Sequence, residues 1–169
     1  SGPRMDHASY AKIRTPGHQI RRLHQVSVAV FHDCLQSVNL TPIQYTILVV
    51  ISLEPGLEQT TIAVRAALDT STTGDVIKRL EKHGMIRREV GARDRRARVA
   101  YITPAGEAAI TDAQPLIAEA IQHMLSPLDA AEQASMLEMI ERILTYHVSN
   151  RATECDGKPW HRELRASPE

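Results

Sequence analysis

Residues 58 to 102 constrain the fold of this chain more than any other stretch. Segments 58–67 and 70–83 are amphipathic with helical spacing, and they meet at a tight junction. They are followed at once by two strand-like segments that carry arginines, Ile86–Val90 and Arg98–Ile102. Two helices, a short turn and a basic β-hairpin in this order are the parts of a winged helix-turn-helix. The sequence therefore predicts that the second helix enters a major groove of DNA while the hairpin contacts the backbone or minor groove.

Apolar periodicity predicts further helices on both sides of this motif. Over Pro16–Val38 apolar residues recur about every 3.6 positions, and Thr41 caps a second helix that runs to Leu53. After the hairpin a helix is predicted over about 104–124, and Asp129 caps a last helix. The apolar stripe of the last helix consists of Met136, Leu137, Ile140, Ile143, Leu144 and Val148. The predicted fold is mainly α with a small β-hairpin wing.

The charge balance excludes a protein that binds DNA through a diffuse polybasic surface. The 169 residues contain 20 Lys and Arg against 20 Asp and Glu, so any affinity for nucleic acid must come from local clustering. Such a cluster lies between Arg87 and Arg98, where six arginines stand against Glu89 and Asp94. The positive charge is therefore concentrated on the predicted hairpin.

Cysteine content and hydropathy exclude several further classes of protein. Cys34 and Cys155 are the only cysteines and lie far apart, so a disulfide framework or a four-cysteine zinc site is excluded. The longest apolar run, 47–51, is much too short to span a membrane. Residues 1–4, ahead of Met5, resemble the remnant of a cleaved tag, and 1–15 are expected to form only an arm. We expect a soluble cytoplasmic protein without a metal or cofactor.

The predicted second helix of the motif carries the candidate base-reading residues. Asp69 or Thr70 would cap it, and its first turn would present hydroxyl and backbone N–H groups from Thr70, Ser71, Thr72 and Thr73. Its buried face would consist of Val76, Ile77 and Leu80. Lys78 and Arg79, on the opposite side, can reach the phosphate backbone or form only a solvated helix face.

The tip of the predicted wing is the second candidate contact. Gly91 and Ala92 lead into a charged run that carries Arg93, Arg95 and Arg96. Arginines in such a loop fit a narrow, electronegative minor groove. A solvated loop is the alternative, although an ordinary hairpin rarely concentrates so many arginines. Asp94 is expected to pair with a neighbouring arginine through a charge-assisted hydrogen bond.

Three motifs resemble the signature of the MarR family of bacterial transcriptional regulators. They are residues 80–88 (LEKHGMIRR), 94–96 (DRR) and 102–106 (ITPAG), and the helical layout is similar over roughly residues 16–150. The resemblance implies a homodimer in which residues 16–40 and 104–150 supply the dimerisation helices. It further implies a winged helix-turn-helix DNA-binding domain over 41–103, a pseudo-palindromic operator and a small-molecule pocket between the two parts. Residues 151–169 would be a polar C-terminal tail.

The second helix of the motif, 70–83, is the recognition helix of the predicted DNA-binding domain. It departs from the family pattern at Gly74 and Asp75, where many relatives carry a basic or hydroxyl residue. An acidic side chain that faces phosphates is repulsive. Asp75 would therefore either accept a hydrogen bond from a cytosine amino group or turn aside to pair with Arg79 at i+4.

The first helix carries the candidate ligand-binding residues. Residues 16–25 (PGHQIRRLHQ) are similar to MarR-family members that control aromatic catabolism, so the resemblance favours a small aromatic acid as effector. A cationic group at the junction would hold its carboxylate, with an apolar surround for its ring. The candidates are His18, Arg21, Arg22, His24, Ile47 and Ile51. Alternatively, the arginines form interface salt bridges and the histidines are only hydrogen-bonded within the protein.

Three other functions fit the sequence less well. An enzyme is disfavoured because the histidines lack metal-protease spacing and no serine or cysteine lies in a nucleophile motif. A redox-sensing regulator would use Cys34, which lies on the predicted buried stripe, where thiols are normally inert. A winged helix can also bind protein without DNA, but the arginine-rich wing argues against this. A DNA-binding repressor released by an aromatic carboxylate is the function that the sequence favours.

Overall fold

The computed structural model describes residues 15–91 and 96–149, with side chains up to His147 in the last helix. Six α-helices lie in this part of the chain: α1 (Pro16–Leu35), α2 (Pro42–Leu53), α3 (Gln59–Arg65), α4 (Thr70–Lys82), α5 (Pro104–Leu125) and α6 (Ala130–Ser149). A 3-10 turn, Gln36–Val38, follows α1. The strands are β1 (Leu57–Glu58), β2 (Ile86–Val90) and β3 (Arg98–Ile102). The mainly helical fold with a β-hairpin wing is confirmed.

Local capping determines where the helices begin. In α2 the Thr41 hydroxyl accepts from the Gln44 backbone N–H at 3.2 Å, and the Gln44 side chain accepts from the Thr41 N–H at 2.8 Å. Asp129 and Glu132 form the same reciprocal pair at the start of α6. Asp69 caps α4. These starts agree with the prediction because a cap depends only on residues within one helical turn.

A third strand extends the predicted hairpin into an antiparallel sheet of order β1-β3-β2. β2 and β3 have the predicted bounds, and β1 pairs Leu57 with Ala100 and Glu58 with Val99. The helix predicted over 58–67 was therefore too long at both ends. Glu58 is a strand residue and the N-cap of α3, which ends at Arg65. The reason is tertiary, because only the pairing with β3 makes Leu57–Glu58 a strand.

The turn between α3 and α4 is closed by backbone hydrogen bonds. Leu68 donates its N–H to the Ala63 carbonyl at 2.9 Å, and Ala67 donates to Val64 at 3.2 Å. Ala67 has a φ of +54°, a left-handed conformation that is uncommon outside glycine, asparagine and aspartate. This turn brings α4 back across α3 and places both on the core.

One hydrophobic core joins the helix-turn-helix to the long helices. Its fully buried large side chains include Leu35, Ile47, Leu48, Ile51, Ile62, Ile77 and Leu80. They come from the end of α1 and from α2, α3 and α4, and Ala113 of α5 packs against the same cluster. The position of the recognition helix α4 is therefore determined by packing on α2 and α3.

Among the side chains described for the last helix, residues 130–147, none is buried in this core. Most of its predicted apolar stripe is exposed in the single chain, with Leu137 60%, Ile143 58% and Leu144 55% accessible, whereas Met136 is half-buried and the Val148 side chain lies outside the described residues. In the described part of the chain no single helix is both long and apolar enough to cross a membrane. One helix pair, Pro16–Val38 with Pro42–Leu53, passes that test by length and composition only, and it is bent by 77°.

Candidate functional site

The exposed start of α4 is organised by the Asp69 carboxylate. Its Oδ1 accepts from the Thr72 backbone N–H at 2.8 Å, and its Oδ2 accepts from the Thr72 hydroxyl at 2.6 Å. These two hydrogen bonds hold the pKa of Asp69 below its ordinary value. Thr70 and Ser71 are exposed on the same turn, and Thr72 is half-buried. The Ser71 hydroxyl is exposed in the first turn of α4 and has no hydrogen-bond partner within the described residues.

Thr73 does not lie on this exposed surface. Its side chain is fully buried, and its hydroxyl donates to the Asp69 carbonyl at 2.8 Å. The prediction that its side chain faces DNA is corrected, because the position belongs to the helix face that packs inward. The sequence carried this signal: Thr73 begins the i, i+3, i+4, i+7 series that continues with Val76, Ile77 and Leu80.

Asp75 of the recognition helix forms an ion pair, but not with Arg79. Asp75 Oδ1 lies 3.5 Å from Lys78 Nζ, and both side chains are exposed. Of the two alternatives for Asp75, the pairing with Arg79 at i+4 is corrected to one with Lys78 at i+3, and the hydrogen bond from a cytosine stays a prediction. An exposed pair of this kind contributes about 0–1 kcal/mol to stability. Lys78 can therefore exchange Asp75 for a phosphate, and Asp75 can exchange Lys78 for the amino group of a base. Arg79 and Lys82 are exposed in the last turn of α4.

Two of the six clustered arginines, Arg87 and Arg88, form ion pairs within the protein. The Arg88 guanidinium donates from Nε to Glu81 Oε2 at 2.9 Å and also from Nη2, which ties β2 to α4. This hydrogen bonding lowers the pKa of Glu81. Arg87 pairs with Glu89 and lies 4.5 Å from the centroid of the Tyr101 ring. Both guanidinium groups are thus partly neutralised within the protein.

Of the remaining arginines of the cluster, two lie in the described part of the chain, Arg96 shortly before β3 and Arg98 as its first residue. Arg96 and Arg98 are exposed, and Gly91 donates its N–H to the Ala97 carbonyl at 2.9 Å, which closes the base of the loop. Arg93, Asp94 and Arg95 lie outside the described residues. The role predicted for the wing tip in the minor groove therefore stays a prediction.

A cavity of about 480 Å³ lies between α1, α2 and the turn of the helix-turn-helix, a size that suits a small organic ligand. From α1 it is lined by His24, Ser27, Val28, Phe31 and Leu35; from α2 by Pro42, Ile43, Tyr45 and Thr46; and otherwise by Ala66, Ala67, Leu68 and Ile117. The walls are mostly apolar, with a few polar groups from His24, Ser27, Tyr45 and Thr46. One wall of the cavity is thus the turn that leads into α4.

Of the predicted ligand-binding residues, only His24 lines this cavity. Ile47 and Ile51 are fully buried in the core, so their assignment to a ligand wall is corrected. Arg21 and Arg22 are exposed and lie outside the lining. His18 is also outside it; its Nδ1 is buried and has no hydrogen-bond partner within the described residues. The missed residues of α1 could have been found, because positions 27, 28 and 31 follow His24 at i+3, i+4 and i+7.

Cys34 lies in α1 between the cavity-lining residues Phe31 and Leu35, and it has the properties of a packed thiol. Its Sγ donates to the Phe31 carbonyl at 3.3 Å, and the side chain is half-buried. Burial, followed by the charges of Glu119 and Asp33, raises the pKa of the thiol. Reactivity needs the thiolate, so this environment disfavours redox sensing. Among the described residues no group of three or more His, Cys, Asp or Glu could hold a metal ion.

The fold and the exposed start of α4 define a class of protein, the winged helix-turn-helix regulators of transcription. A family model described as the MarR family matches residues 40–97. The transcriptional regulator HosA of Escherichia coli is 30% identical over 127 residues, which cover 75% of this chain and 93% of HosA. The chain belongs to the MarR family and is a DNA-binding transcriptional regulator.

Solved structures support the same assignment. The PcaV regulator of Streptomyces coelicolor, in complex with its natural ligand, is 30% identical with a TM-score of 0.69, over 85% of this chain and 97% of PcaV. BpsR of Bordetella bronchiseptica, whose DNA binding is regulated by 6-hydroxynicotinic acid, is 24% identical with a TM-score of 0.71. The match covers 75% of this chain and 96% of BpsR, and at this identity it establishes the fold alone.

Proposed function

We propose that the protein is a sequence-specific repressor that binds a pseudo-palindromic operator as a homodimer in the cytoplasm and is released by a small aromatic carboxylate. The observation that carries the proposal is the position of the cavity. It borders α1 on one side and residues 66–68 on the other, and Asp69, the cap of α4, follows directly. A ligand held there touches both a long helix outside the helix-turn-helix and the turn that leads into the recognition helix.

The composition of the cavity wall indicates the class of ligand. Phe31, Val28 and Ile117 offer apolar surface for an aromatic ring. The His24 imidazole and the hydroxyls of Ser27 and Thr46 offer hydrogen-bond donors for a carboxylate. That the DNA binding of BpsR, a protein of the same fold, is regulated by 6-hydroxynicotinic acid supports an aromatic acid here.

Release of DNA follows if the ligand binds the DNA-free arrangement of the dimer more tightly than the DNA-bound one. Such coupling is typically about 1–3 kcal/mol, and it must be reciprocal. DNA should therefore weaken ligand binding by the same factor by which the ligand weakens DNA binding.

The test uses benzoate- and pyridine-type carboxylic acids and a selected duplex, defined as the DNA that the wild-type protein enriches from a random-sequence pool. At least one acid is expected to raise the melting temperature of the protein and to release the selected duplex. The His24→Ala variant should need about tenfold more of that acid, because a hydrogen bond to a charged group is lost.

Arg22→Ala is the matched control, because Arg22 lies on the same helix but outside the cavity lining. It should release the duplex at the wild-type acid concentration. If Arg22→Ala is impaired and His24→Ala is not, the ligand binds on the exposed face of α1 and the cavity is not the effector site. If no acid of the panel releases the duplex, the aromatic carboxylate is the wrong class of effector.

A further inference from the structure

We propose that Gln59 is a positioning residue for DNA reading. We also propose that Gly74, which has no side chain, leaves the space on the recognition helix that the Gln59 side chain occupies. Gln59 is the first residue of α3, and its Nε2 donates to the Thr70 carbonyl at 3.0 Å. Thr70 is the first residue of α4. The side chain thus connects the starts of the two helices of the motif directly. The proposal rests on the sequence-specific DNA binding proposed above.

Gly74 accounts for how this contact is possible. A Cβ built on Gly74 would lie 2.5 Å from Gln59 Nε2, 3.1 Å from Cδ and 3.2 Å from Oε1. The whole carboxamide therefore occupies the space that a side chain at position 74 would need. Glycine inside a helix costs about 1 kcal/mol relative to alanine, so its presence in α4 calls for a structural reason. The close approach of the Gln59 carboxamide supplies that reason.

The contact acts where the recognition helix begins. Thr70 is followed by the exposed Ser71 and by Thr72, which is held by Asp69. The Asp69 cap binds the helix start to its own preceding turn, whereas Gln59 binds it to the neighbouring helix. The carboxamide thereby orients the Ser71 hydroxyl relative to α3, and a small shift there changes which base edge a hydroxyl can reach. Gly74, which departs from the family pattern, is thus needed for the hydrogen bond between Gln59 and Thr70.

The contact is tested first by thermal melting at one protein concentration. Gly74→Ala should change the melting temperature of the wild-type protein little, because the added methyl displaces the hydrogen-bonded carboxamide at the flexible end of Gln59, and this loss offsets the gain of about 1 kcal/mol that alanine brings to a helix. In a Gln59→Ala background the same substitution should raise it, because the space is empty and alanine favours helix. Gly17→Ala in α1, where a Cβ would meet nothing within 4 Å, is the control and should not lower it in either background. Equal effects of Gly74→Ala in both backgrounds would overturn the contact.

The positioning role is tested by the ratio of affinities for the selected duplex and for random DNA. Gln59→Leu keeps the bulk of the side chain but removes the donor, and it should lower this ratio about threefold to tenfold. Gln114→Leu, at an exposed position on α5, should leave it unchanged. A lower melting temperature with an unchanged ratio would make Gln59 merely structural and overturn the proposal.

Failure of the proposed function would give a different experimental result from failure of the positioning role. If the wild-type protein enriches no duplex from the random pool, sequence-specific binding is wrong and the positioning role falls with it. If the wild-type protein selects a duplex and Gln59→Leu binds it with the wild-type ratio, only the positioning role is wrong.

Discussion

At the scale of single residues, hydroxyl groups in one helical turn have different roles. Ser71 is exposed, the Thr72 hydroxyl is engaged by Asp69, and Thr73 is buried with its hydroxyl on a backbone carbonyl. Ser71 is thus a candidate base-reading group, Thr72 is part of the helix cap and Thr73 is part of the core, although the three side chains are chemically similar. Their roles follow from the direction in which each leaves the helix.

This difference predicts opposite outcomes for two conservative substitutions. Ser71→Ala should cost about 1–3 kcal/mol on the selected duplex and much less on random DNA, because a base contact is lost. Thr73→Val should lower the free energy of unfolding by about 1 kcal/mol through the lost hydrogen bond, and leave the ratio of the two affinities unchanged. Filter-binding titrations and urea unfolding measure the two quantities. Equal losses of Ser71→Ala on both DNAs would assign its hydroxyl to phosphate positioning.

At the scale of elements, the wing is attached to the recognition helix by one ion pair. Glu81 of α4 and Arg88 of β2 are only partly exposed, at 37% and 26% of their side-chain area. The pair fixes the direction in which the hairpin leaves the helix. The arginines of the wing therefore divide into Arg87 and Arg88, which lie in β2, and those predicted for its tip, Arg93, Arg95 and Arg96.

That division predicts how the wing contributes to the salt dependence of DNA binding. Replacing Arg95 and Arg96 together with alanine should flatten the slope of log K against log salt by up to about two units, because two phosphate contacts are lost. The loss should be similar on the selected duplex and on random DNA. Arg87→Ala is the control, because the Arg87 guanidinium is paired with Glu89 of the same strand and the Glu81–Arg88 pair is kept. Its slope should stay near the wild-type value, and the reverse pattern would remove the wing tip from the interface.

Part of these elements could be predicted from the sequence. The bounds of β2, β3 and α2 and the caps Thr41 and Asp129 agree with the structure, because period and capping are properties of neighbouring residues. β1 could not be predicted, because a strand of two residues carries no periodicity and exists through its pairing with β3.

At the scale of the whole molecule, the single chain leaves two apolar surfaces uncovered. On α1, Ile20 is 65% exposed, and on α6 the side chains of Ile140 and Leu144 are 40% and 55% exposed. Exposed apolar stripes on long helices are typical of interfaces between subunits. A two-fold dimer through these helices would present two recognition helices to half-sites about one turn of DNA apart.

The dimer predicts a clear result in light scattering. The wild-type protein should have twice the chain mass of 18.8 kDa at micromolar concentration. The double variant Ile140→Glu with Leu144→Glu should have the mass of one chain and lose most of its affinity for the selected duplex, because two charges would be buried without partners. Ser135→Glu, on the opposite face of α6, should remain dimeric. A wild-type protein of monomeric mass would contradict the interface and the two-fold operator together.

The sequence by itself determined the order of the elements, most of their ends and the class of protein, because these depend on spacing, caps and motifs along the chain. Only the tertiary structure decided which faces of the helices meet. It placed Ile47 and Ile51 in the core instead of the cavity, brought His24 to the cavity without Arg22, and set Gln59 against Gly74. Such choices depend on how closely distant segments approach one another, and packing of the whole core, not local periodicity, determines those distances.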